Sequence, residues 1–134
     1  MSDISAHDFY KLGVKVGVRL KVDGVQSTQV NKLLELLNSE SDERLAVTLV
    51  AIFAHRQANR GYLRISSAKE LSDAMKQILE CKECSGVRNE ARKVLGIAKW
   101  VYEALERTTV PPEKIKEISD FPNLLKLLME AKHY

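Results

Sequence analysis

The chain has 134 residues, 45% of them apolar and 29% charged, with a formal charge of +3. That length suits one domain with a core of its own, and that composition excludes intrinsic disorder. No stretch approaches the roughly 18 apolar residues of a membrane span, and Met1–Asp8 lacks the layout of a signal peptide, so a cytoplasmic protein with no membrane partner is expected.

The first predicted element runs from about Ser5 to Val22, with Phe9, Leu12, Val16 and Leu20 at helical spacing and Asp23-Gly24 as its stop. It has a rival. Leu12, Val14, Val16, Val18, Leu20 and Val22 alternate with glycines and cations, which is the period of a strand. A strand needs a partner, and the short Tyr62–Ile65 stretch is the sole candidate; an isolated two-stranded pairing is marginal, so a helix is favoured. On that helix Gly13 and Gly17 lie one turn apart and admit another backbone closely, at a cost in propensity.

The second helix, about Thr28 to Asn38, carries Val30, Leu33, Leu34 and Leu37 on one face, with Ser27 or Thr28 as cap. A third, about Asp42 to Arg60, follows Ser39 and Ser41, is expected to turn Leu45, Leu49, Ile52 and Phe53 inward, and stops at Gly61. Ser67-Ala68-Lys69-Glu70 reads as a capping box opening a fourth helix with Leu71, Ala74, Met75, Ile78 and Leu79 buried, ending near Cys81. The fifth, about Ser85 to Arg107, holds Ala91, Val94, Leu95, Ala98, Val101 and Leu105, and the single indole, Trp100. Pro111-Pro112 breaks the chain. A short turn or helix at Glu113–Ile118, a cap at Asp120 and a last helix from Pro122 to about Lys132 complete it. These elements predict an all-α, compact bundle of about five to seven helices in a single domain over 1–134.

Charge divides the chain. Between Phe9 and Lys69 ten bases face five acids, whereas eleven bases balance eleven acids from Glu70 onward. A basic half beside a neutral half suggests a polyanion-facing surface on the first, against the plainer alternative of a solvated face. Leu45–Lys69 contains no acid at all, so nothing along it repels a phosphate. Arg56 and Arg60 lie one helical turn apart and share a face, where they could contact successive phosphates. Gln57 and Asn59 add neutral donors, and Tyr62 could stack on a base, although a core or rim tyrosine is the commoner case. Lys11, Lys15 and Arg19 form a second basic ladder if the first element is helical, with Lys21 and Lys32 as extensions. No base-reading motif or helix-turn-helix is present, so any binding is expected to be independent of sequence.

No reaction is written in the residues. The chain lacks a nucleophile-base pair, a phosphate loop or a dinucleotide fingerprint, and His7, His55 and His133 are far apart in sequence. His55 alone has polar company. Cys81-Lys82-Glu83-Cys84 supplies only two of the four ligands of a structural zinc, which leaves a thiol pair or a short disulfide as the plainer readings. No enzyme activity, cofactor or metal is therefore expected.

The first 75 or so residues resemble small α-helical subunits of CRISPR effector complexes, a group spanning archaeal type I-A Cascade and type III assemblies. Two segments carry the resemblance: Ser27-Thr28-Gln29-Val30 followed by Asn31-Lys32-Leu33-Leu34 at the start of the second helix, and Ala51-Ile52-Phe53-Ala54-His55-Arg56-Gln57 in the third. The histidine before Arg56, where type III members have glycine, and the polar link from Gly61 to Ser67 point to the type I-A branch or a divergent relative. The resemblance implies a non-catalytic subunit in several copies, contacting guide RNA or target DNA or RNA backbone beside other effector subunits. Carried onto this sequence, the phosphate contacts are Arg56 and Arg60, then Lys15, Arg19, Lys32 and Arg64. The alternative is a helical protein-protein interaction module in which the apolar region from Pro122 to Tyr134 docks a partner.

Overall fold

The computed structural model describes residues 6–82, 84, 86–109, 112–115, 117–118, 120–130 and 132–133. Among these the chain forms α1 (Ala6–Val22), α2 (Ser27–Ser39), α3 (Glu43–Asn59), α4 (Ile65–Glu80), α5 (Val87–Leu105), β1 (Thr108–Thr109), α6 (Pro112–Ile115), α7 (Phe121–Glu130) and β2 (Lys132–His133). The architecture is the expected all-α bundle. Its two strands are two-residue pieces paired antiparallel, Thr108 opposite His133. Of the expected landmarks, Ser5, Ser85 and Pro111 lie outside the described residues.

The strand-like alternation in the first element is resolved by how α1 is buried. A helix turns about 100° per residue, so positions four apart share a face and positions two apart lie nearly opposite. Leu12, Val16 and Leu20 enter the main core with residues of α2 to α5, while Val14 and Val18 enter a second cluster with Val101, Leu105, Ile118 and Leu124. Two interleaved four-residue stripes on opposed faces read as a period of two. The residues between them divide the same way: Lys11 and Lys15 are exposed, whereas Gly13 and Gly17 are buried against α5. A Cβ on Gly17 would stand 2.6 Å from the Ala98 carbonyl oxygen and 2.7 Å from Val101 Cβ, and one on Gly13 would stand 2.8 Å from Ile97 Cβ. Two mid-helix glycines cost about 1 kcal/mol each in propensity, and here that cost lets the backbone of α1 approach α5 closely.

The second helix begins one residue earlier than its expected caps. Gln26 is the N-cap, and Ser27 and Thr28 fall inside the first turn. The preceding turn explains this: Gly24 takes φ +70°, Val25 is buried, and the Tyr102 hydroxyl of α5 donates to the Val25 carbonyl, pinning the link.

Two further expectations are corrected. Helix α3 does not turn Leu45 and Ile52 inward; they are 43% and 58% exposed, and Ala46, Val47, Val50, Ala54 and Gln57 are buried instead. Both sets have helical spacing, but α3 must fit against α2 and α4 together, and its small side chains allow that approach. Asp42 caps it, its Oδ1 accepting from Leu45 N at 3.0 Å. Nor is Ser67 an N-cap. Helix α4 starts at Ile65 with Arg64 as N-cap, and Ser66 and Ser67 donate to Asp23 Oδ2 at 2.5 and 2.7 Å. A carboxylate from the end of α1 thus serves the positive end of α4, which no local pattern announces. At the other extreme of the bundle Cys81 and Cys84 are joined as a disulfide with Cα atoms 5.6 Å apart, the Arg88 guanidinium donates to the Glu40 carbonyl, and Arg44 donates to the Leu79 carbonyl at 3.2 Å. Asp120 caps α7 as expected, accepting from Asn123 N at 2.9 Å.

Candidate nucleic-acid interface

Helices α2 and α3 are locked by a buried amide pair, Gln57 Nε2 donating to Gln29 Oε1 at 2.8 Å. Gln57 is therefore not the surface donor its place beside Arg56 suggested: it is 2% exposed. Its backbone carbonyl accepts from the N–H groups of Tyr62 and Leu63 at 2.9 and 3.3 Å, which folds the chain back after α3. Gly61 makes the reversal at φ +83°, and buried Leu63 anchors it. This turn leaves Tyr62 half exposed beside the end of α3, with the Arg60 guanidinium 5.6 Å from its ring centroid, a cation–π distance.

The result is a trough of about 400 Å³ lined by Lys32, Glu35, Leu36 and Ser39 of α2 and by Phe53, Arg56, Gln57, Arg60 and Tyr62. Three of the six residues expected to contact phosphate, Lys32, Arg56 and Arg60, converge on it, and among the described residues none of the three is held by a carboxylate. Three cations against the one carboxylate of Glu35 leave the concavity net positive, with a field strengthened by the low-dielectric wall behind it.

Lys15, Arg19 and Arg64 line no part of this trough. Lys15 is exposed on the solvent stripe of α1, and Arg64 is exposed at the N-cap of α4. Arg19 is half-buried and reaches Asp23 Oδ1 at 3.8 Å, so part of its charge is already answered. The ladder of Lys11, Lys15 and Arg19 is not extended by Lys21, whose Nζ donates to the Glu106 carbonyl at 2.8 Å, nor by Lys32, which belongs to the trough. Glu35 was missed because the acid-free run covers α3 and its flank only. The available signal was its position three residues after Lys32, one turn along α2.

No protein-family model, curated protein or solved structure matches the chain. Its function must be argued from its own surfaces.

A second surface differs in kind. Trp100, Val101 and Ala104 of α5 and Phe121, Pro122, Leu124, Leu125 and Leu128 of α7 line a groove of about 570 Å³ with no charged side chain among them. Trp100 is 78% exposed and Leu125 60%. The remaining candidate for chemistry, His55, has its Nε2 2.9 Å from Ser72 Oγ, a pairing that joins α3 to α4. Among the described residues no helix is long and apolar enough to cross a membrane.

Proposed function

We propose that the chain is a non-catalytic small subunit of a CRISPR RNA-guided effector complex, contacting the backbone of guide or target nucleic acid without reading its sequence. It acts in the cytoplasm beside other subunits and further copies of itself. The observation that carries this reading is the convergence of Lys32, Arg56 and Arg60 on one trough beside an exposed tyrosine. The two segments behind the family resemblance support it as well, because they meet in space: Gln29 of the first pairs with Gln57 of the second, and that contact sets the trough's walls. No reaction is assigned, since His55 engages a serine hydroxyl rather than a carboxylate.

The test is binding of labelled single- and double-stranded DNA and RNA by fluorescence anisotropy. Arg56→Glu with Arg60→Glu should weaken every sequence alike while circular dichroism and melting stay as in the parent. Loss confined to particular sequences, or equal loss when Lys76 and Lys126 of the neutral half are reversed to Glu, would contradict the reading.

The second reading, a helical module for protein-protein contact with no nucleic-acid binding, is favoured by the apolar α5–α7 groove, where Trp100 and Leu125 stand exposed with no charged residue in the lining. A subunit within an assembly needs a protein-facing surface too, so the groove accords with either reading. Salt-sensitive nucleic-acid binding separates them.

A further inference from the structure

Resting on the nucleic-acid reading, we infer that the α2–α3 trough is a pocket for one unstacked nucleotide of a single strand, not a cradle for the phosphates of a duplex. Three features of the trough ask for more than phosphate. Its volume of about 400 Å³ lies in the range of small-ligand pockets, roughly 300–1,000 Å³. Tyr62 presents a half-exposed ring at its edge, with Arg60 already on that ring, an arrangement that takes a base by stacking. Glu35 lines the trough although a carboxylate repels phosphate, and among the described residues it forms no ion pair.

A nucleotide answers all of these together. Its phosphate meets Lys32, Arg56 and Arg60, its base lies on Tyr62, and the N–H groups of the base or the hydroxyls of the sugar donate to Glu35. A bare polyanion satisfies the cations and leaves Glu35 unanswered. A base paired within a duplex cannot reach the tyrosine. The same chemistry is offered by a free nucleotide and by a nucleotide within a strand; the strand is the occupant assigned, because Arg64, exposed two residues after Tyr62, supplies a cation outside the trough to carry its continuation.

The probes are inorganic phosphate, the four nucleoside monophosphates, a short single-stranded oligonucleotide and the duplex of equal length, followed by NMR of the uniformly labelled chain and by anisotropy. The monophosphates should move the Gln57 side-chain amide and the Tyr62 backbone signal saturably, inorganic phosphate should not, and the single strand should bind at least tenfold more tightly than either a monophosphate or the duplex. Tyr62→Ala should cost the single strand roughly five- to hundredfold with its salt dependence unchanged, and Tyr62→Phe should restore it. A monophosphate binding as tightly as the strand would overturn the assigned occupant in favour of free nucleotide. Equal binding of strand and duplex with no effect of Tyr62→Ala would overturn the pocket while the backbone-contact reading stands. Absence of binding by every nucleic acid at low salt would overturn both.

Discussion

The α2–α3 trough and the α5–α7 groove are both concave, both built between two helices, and opposite in chemistry. In the first, cations and polar groups surround a ring; in the second, an indole and leucines stand open to solvent with no charge among the lining residues. The difference lies in how each pair of helices is held. Gln29 and Gln57 fasten α2 to α3 through buried amides, so the outer positions there are free to be charged. Helix α7 is held by Leu124, its buried residue, with Leu127 and Leu128 partly buried against the same cluster and Phe121 beside the Tyr10 ring, while Leu125 and Met129 stand exposed. Charge that is not needed for packing is available for a ligand, and apolar surface not consumed by packing is available for a partner protein.

The largest expected effect breaks the first of these surfaces. Arg56→Glu with Arg60→Glu should lower nucleic-acid affinity by about two orders of magnitude at low salt, since two favourable phosphate contacts become two repulsions. Next, the glycines separate close packing from mere helix propensity. Gly17→Ala should destabilise the fold by about 1–3 kcal/mol in urea melts, because its methyl would strike the Ala98 carbonyl oxygen. Gly96→Ala in α5, which would meet nothing within 4 Å, should stabilise it by about 0.5–1 kcal/mol.

Tyr102→Phe should cost about 1 kcal/mol through the lost hydrogen bond to Val25. Burial, with Glu106 and Glu103 nearby, raises the Tyr102 phenol above its ordinary 10.0. A raised folded value means that the unfolded chain gives up this proton first. The full stability is therefore present below pH 10 and declines as pH rises past it, and Tyr102→Phe should flatten that alkaline decline in melting experiments. The smallest effect is the sharpest contrast: Trp100→Ser with Leu125→Ser should leave nucleic-acid affinity within twofold of the parent, because neither residue borders the trough.

Helix positions were legible in the sequence where the apolar side chains fall on one face, as Val30, Leu33 and Leu37 do in α2 and Leu71, Ala74, Met75 and Ile78 do in α4. Legibility failed where a helix buries two opposed faces or packs through small side chains. The alternation in α1 imitated a strand because both its opposed faces are buried, and the inward face of α3 was misjudged because Ala46, Val47 and Val50 fit between neighbours where Leu45 and Ile52 do not. Ser67 misled for a related reason: its hydroxyl is claimed by Asp23, 44 residues away in sequence. Of the candidate site, Arg56 and Arg60 followed from helical spacing alone. That Lys32 joins them and that Arg19 and Lys15 do not is a matter of which helices pack together, and Glu35 enters the same way.

The most direct test of the account is the salt dependence of single-strand binding for the parent chain and for Arg56→Glu with Arg60→Glu. On logarithmic axes affinity should fall linearly with salt, and the double variant should lose about 1.4 or more from the slope, roughly 0.7 for each single-strand phosphate contact removed. An unchanged slope would mean that the trough's cations touch no phosphate, and the central claim would fall.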